Sequence, residues 1–206
     1  MNNYNKVTLP LLAVALLMLA GCAGYKARPL NRALIPTSGD IQEGSVALTY
    51  RIFTKRDCAK YLDRDVIAKG YQPVHVTLQN RSNHRYSLCL GNFSFPCADA
   101  QEVAHQVHTS TAKRAASYGI GALFLWPLII PAVVDGVGSS QANQQLDADF
   151  DQKALKDQIL EPYTTINGLV FIPVEDFTPH FSLSLVNVTD QARLALSTTH
   201  STSMVA

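Results

Sequence analysis

Short runs in which every second residue is apolar recur along this chain, and they constrain its fold more than any other feature. In residues 45–53, Val46, Leu48, Tyr50 and Ile52 share one side of an extended backbone while Thr49 and Arg51 take the other, the pattern of a strand with one buried face. Residues 73–80 (PVHVTLQN) repeat it with Val74, Val76 and Leu78, and residues 84–91 follow with Tyr86, Leu88 and Leu90. The Asn80-Arg81-Ser82-Asn83 turn between these two runs predicts a hairpin. Residues 57–70 are polar and close on Gly70, which fits a short helix or an irregular crossing. The C-terminal third repeats the alternation in residues 169–174, in residues 180–188 and in residues 191–198. Six or seven short strands predict an antiparallel, mainly β fold. A two-sheet sandwich is the natural way to bury one face of each. His75 falls on the polar side of its strand and His180 follows a proline, so both read as surface residues.

The N-terminus has a different character. Residues 1–6 are polar with one cation, Lys6, and residues 9–20 (LPLLAVALLMLA) are apolar. Twelve helical residues rise ~18 Å, short of a ~30 Å hydrocarbon core but sufficient for a secretory signal. The run ends in Leu19-Ala20-Gly21-Cys22, which resembles the lipobox of bacterial lipoproteins. The resemblance implies cleavage after Gly21, a diacylglyceryl group on the Cys22 thiol, and acylation of the freed amine. Ala23 in place of an Asp implies, by that family's sorting rule, the outer membrane. Residues 23–44 hold Pro29, Pro36 and a Thr37-Ser38-Gly39-Asp40 turn cluster without periodicity, and read as a tether. The expected organisation is a signal peptide over 1–21, the acylated Cys and tether over 22–44, one domain over 45–200, and a polar tail over 201–206. At 206 residues there is room for one modest domain.

Two segments, VHVTLQNRSNHRYSL and ILEPYTTINGLVFIPVEDFTPHFSLSL, resemble exported bacterial immunoglobulin-like domains. In those an Asn-Ser turn follows an early strand, and a G-x-V-F-x-P strand precedes the last hairpin. The resemblance implies an immunoglobulin-like antiparallel sandwich serving as a binding or scaffolding module. It does not reach residues 98–156.

That stretch reads as a helical insert. Residues 98–111 have helical composition, with Asp99 and Glu102 near the start where a helix dipole favours acids. Residues 118–134 carry no charge. Pro127 and Pro131 interrupt the run, which disfavours one straight spanning helix and leaves two short arms, 119–126 and 128–134. Each arm reaches ~10–12 Å, about one leaflet. Three roles remain open for this apolar hairpin. It can fill the domain's own core, dip into the leaflet that holds the anchor, or form a partner interface. The side chains at stake are Leu123, Phe124, Leu125, Trp126, Ile129 and Ile130.

Charge narrows the partners. Lys6 is the one charged residue before Cys22, so the chain beyond it, with 16 cations and 16 anions, is formally neutral. Such a chain lacks the electrostatic term behind most nucleic-acid affinity. G-x-S-x-G, H-E-x-x-H, P-loop and dinucleotide-binding motifs are all absent. Glu102, His105 and His108, at i, i+3 and i+6 of a helix, share one broad face and are the metal-ligand candidates. Cys89 and Cys97 flank a bend containing Gly91 and Pro96. They are the expected disulfide in an oxidising compartment, stabilising by ~2–3 kcal/mol. These features together lead to an expected role without cofactor or catalysis: an outer-membrane lipoprotein, periplasmic in orientation, acting as scaffold or assembly component of an envelope complex with a protein partner. A surface-exposed adhesion or host-interaction lipoprotein is the alternative, and a metal-dependent enzyme the third.

Overall fold

The computed structural model describes residues 25–30, 37–108 and 129–198, with side chains of the last segment from residue 140 onward. Eight strands are described, and they form two antiparallel sheets. Strands β1 (Gly39–Glu43), β2 (Val46–Ile52), β3 (Tyr71–Asn80) and β6 (Thr165–Pro173) lie in the order β1-β2-β3-β6. Strands β5 (Gln158–Leu160), β4 (Tyr86–Leu88), β7 (Ser182–Asn187) and β8 (Arg193–Ser197) lie in the order β5-β4-β7-β8. Three α-helices accompany them among the described residues: α1 (Lys55–Tyr61), α2 (Ala100–Gln106) and α3 (Ile129–Lys153).

The predicted alternation places the core. Val46, Leu48, Val74, Val76, Leu78 and Ile172 of the first sheet share one apolar cluster with Leu88, Leu160, Leu183, Leu185 and Leu196 of the second. Residues two apart along a strand point the same way, so one face of each sheet fills the space between them. Phe93, Phe95 and Phe181 complete that core, with the first two rings stacked at 5.1 Å.

The other face of the first sheet is covered as well. Leu169 and Phe171, the alternate residues of β6, are 1% exposed. Phe171 stacks on Phe150 of α3 with ring centroids 5.5 Å apart, and Phe53 packs on Tyr61 of α1 at the same spacing. The Lys153 ammonium is buried here, donating to the Tyr61 carbonyl at 2.6 Å and paired with Asp149. His75 therefore departs from the sequence expectation: it lies on the polar side of β3 but is only 4% exposed, because helices overlie that face. His180 is exposed, as expected.

Gly168 permits the close approach. A Cβ there would stand 2.6 Å from the Leu155 nitrogen, where the chain leaving α3 donates Leu155 N–H to the Leu169 carbonyl at 2.8 Å.

Three sequence readings are corrected. The chain does not turn back as a hairpin after β3, because β4 pairs with β5 and β7 in the other sheet. Asn80 makes this crossing possible. Buried at 1% exposure, it donates through Nδ2 to the His84 and Glu161 carbonyls and accepts at Oδ1 from the Ser82 N–H and hydroxyl. Each bond replaces one that water would otherwise supply.

Secondly, of the tether expected over residues 23–44, the described residues 25–30 and 37–44 are fastened to the domain. The Lys26 N–H donates to Asp63 at 3.1 Å and the Arg28 N–H to the Lys60 carbonyl at 3.0 Å, while β1 pairs with β2 through the turn at Gly44, whose φ is +55°. The domain thus begins well before residue 45.

Thirdly, the second apolar arm does not end at residue 134. Helix α3 starts at Ile129 and runs 25 residues. Pro131 is its third residue, where the missing N–H would have had no intrahelical acceptor, so the ring costs no hydrogen bond. The N-terminal part of this helix belongs to a compact unit separate from the sandwich. Within it Ala142 and Leu146 are buried. Leu123, Phe124, Leu125 and Trp126 lie outside the described residues, as do the side chains of Ile129 and Ile130. Among the described residues no helix is long and apolar enough to cross a membrane.

Candidate functional site

Helix α1 is built to hold its position. Thr54 caps it, accepting from the Asp57 N–H at 3.2 Å, while Asp57 accepts from the Thr54 N–H at 2.9 Å, a reciprocal capping box. Arg51 of β2 reaches the same carboxylate at 2.9 Å and ties the helix to the sheet. Burial pushes the Asp57 carboxyl up, but the Thr54 hydrogen bonds and Arg51 outweigh it and hold the group below the usual carboxylate range. Cys58 and Tyr61 point inward and are buried. The Cys58 thiol is pushed up to about 12, chiefly by burial and then by Asp65 and Asp57. The outward residues Lys55, Arg56 and Lys60 are exposed. The segment carrying Lys26 and Arg28, also exposed, runs along the end of this helix through the two backbone bonds given above.

A second feature is a groove of about 720 Å³ lined by Lys69, Tyr71, Cys97, Glu102, Pro173 and Glu175, among others. The Tyr71 hydroxyl donates to Glu102 Oε1 at 3.1 Å; burial and then this bond raise the phenol. The groove is open and mixed in polarity.

The metal-ligand candidates divide. Asp99 caps α2, accepting from the Gln101 and Glu102 N–H groups. Glu102 is engaged with Tyr71. His105, in the last turn of α2, stands beside Asp147 of α3, with a ligand atom of each within 4.8 Å of the other, whereas His108, two residues past the end of α2, belongs to the other compact unit. Asp147 carried no sequence signal, since it lies far along the chain from the histidines.

Cys89 and Cys97 are free thiols, and the expected disulfide between them is not formed. Each sulfur has its own acceptor. Cys89 donates to Asp157 Oδ2 at 3.3 Å, a carboxylate that also takes the Leu90 N–H at 2.7 Å, and Cys97 donates to the Leu90 carbonyl at 3.7 Å. Burial, then Asp157 and Cys89, push the Cys97 thiol up to about 12. Cys22 lies outside the described residues. The chain matches no family model, no curated protein and no solved structure.

Proposed function

We propose that this protein is a non-catalytic lipoprotein of the outer membrane, anchored through acylated Cys22 and presenting an immunoglobulin-like sandwich as a scaffold or assembly component of an envelope complex. One observation carries the reading. The chain is bonded onto the sandwich from Lys26 onward, four residues beyond the Cys of Leu19-Ala20-Gly21-Cys22. A folded domain that begins immediately after a candidate acylation site is the arrangement expected of a lipid-anchored body. The immunoglobulin-like assignment is supported by two four-stranded antiparallel sheets, with the chain crossing from one to the other between β3 and β4. Recognition of a protein partner falls to the sheet edges and loops.

Fractionation of the native envelope tests this reading. The protein is expected in the outer-membrane fraction, resistant to added protease in intact cells and co-purifying with an envelope protein. Recovery as a free periplasmic protein overturns it, and digestion on intact cells favours the surface-exposed adhesion role instead.

A further inference from the structure

We infer that the α1 end of the sandwich is a docking surface for anionic lipid headgroups on the membrane that holds the acyl anchor. Lys55, Arg56 and Lys60 stand exposed on α1, and Lys26 and Arg28 stand exposed on the segment bonded alongside it. Neighbouring acids are engaged. Asp57 is paired with Arg51 at 2.9 Å, and Asp63 with Arg64 at 3.2 Å and with the Lys26 N–H. Asp65 is exposed and accepts from the Ala68 N–H at 3.0 Å. Five exposed cations therefore stand on α1 and the segment bonded to it, and of Asp57, Asp63 and Asp65 only Asp65 pairs with no cation among the described residues, in a chain of formal net charge +1. The cluster is a local property of this face, not a reflection of a basic protein.

Charge alone attracts any polyanion; covalent position selects the membrane. Four residue steps join Cys22 to Lys26, and they span at most about 14 Å in any conformation. With acyl chains on Cys22, the basic end of the domain is confined close to the headgroup plane, on the scale of the ~10 Å Debye length at 0.1 M salt. A cation held there strengthens association with an anionic surface roughly fivefold. The inference rests on the acylation of Cys22 proposed above. It adds an orientation: the lipid fixes the location, and the basic face fixes which side of the sandwich looks at the bilayer and which sheet edges are left for a partner.

The test uses the acylated protein from native membranes, reconstituted into vesicles of phosphatidylcholine alone or of phosphatidylcholine with phosphatidylglycerol. A brief pulse of an amine-reactive reagent, read by mass spectrometry, reports each lysine. Phosphatidylglycerol is expected to slow modification of Lys26, Lys55 and Lys60 about fivefold, and the protection to vanish in ~1 M salt. Lys156, whose side chain is 56% exposed, is expected to react equally in both vesicles. The triple variant Lys55→Gln, Arg56→Gln, Lys60→Gln changes exposed side chains only, and is expected to restore Lys26 reactivity on anionic vesicles. Equal modification in the two vesicle types overturns the inference. So does protection that includes Lys156, or protection that requires an added protein and not anionic lipid. The intact mass of the same sample separates the anchor from the docking surface. An acylated chain with unprotected lysines fails the docking surface alone, whereas an unacylated chain removes the anchor and the docking surface with it.

Discussion

Replacing Phe150 with Ala tests whether the end of α3 is a structural layer of the domain. Its side chain is fully buried, and its ring lies nearly parallel to that of Phe171, 5.5 Å away, at the sheet face that α1 and α2 also cover. Removing a buried phenyl ring costs about 3–5 kcal/mol, the transfer free energy plus the cavity left behind. The stacked pair itself accounts for about 0.5–1.5 kcal/mol of that. For a domain of this size each kcal/mol moves the midpoint about 2–4 °C, so Tm is expected to fall by roughly 6–20 °C. Urea denaturation followed by circular dichroism measures the free energy, and scanning calorimetry the midpoint. A double-mutant cycle with Phe171→Ala is expected to give a coupling of about 0.5–1.5 kcal/mol. A loss below about 1 kcal/mol, or strictly additive variants, would show that the end of α3 merely lies over the sheet and is no structural layer of the domain.

Other consequences follow from single contacts. Gly168→Ala forces a Cβ to within 2.6 Å of the Leu155 backbone nitrogen and is expected to destabilise by about 1–3 kcal/mol, checked by the same urea titration. The Asp57 carboxyl is held below its ordinary value of 3.8, so its contribution is fully present above about pH 4 and lost as pH falls through the lower, folded value. Asp57→Asn is expected to remove that part of the acid dependence, visible in stability measured from pH 6 down to pH 2. Cys58 is buried and its thiol pushed up to about 12, so neutral-pH alkylation is expected to leave it unmodified until denaturant is added, as peptide mapping will show.

The strands with one apolar side were legible. Val46, Leu48, Val74, Val76 and Leu78 announce β2 and β3 by spacing alone, and Leu183 and Leu185 announce β7. Strand β1 was not, because an edge strand of five largely exposed residues has no apolar repeat to display. Alternation also reports only one face of a strand. The burial of His75 depends on helices contributed from distant parts of the chain. Its one signal was the unbroken Leu-Val-Phe-Ile run of β6, since a strand apolar on both sides has both sides covered. The second arm was ended where the apolar run stops at Val134, but α3 continues through polar residues to Lys153, since a helix backbone does not need an unbroken apolar stretch. At the candidate site, His105 was visible through its spacing, whereas Asp147 comes beside it by tertiary packing. The fastening of Lys26 and Arg28 uses backbone N–H groups, which leave no mark on side-chain composition.

Intact-mass analysis of the protein purified from its native membranes tests most directly whether a folded sandwich hangs from a lipidated Cys22. The expected mass is that of a chain beginning at Cys22 and heavier than its amino acids by a diacylglyceryl group and an amide-linked acyl chain. A chain beginning at Met1 with no fatty acid would contradict it.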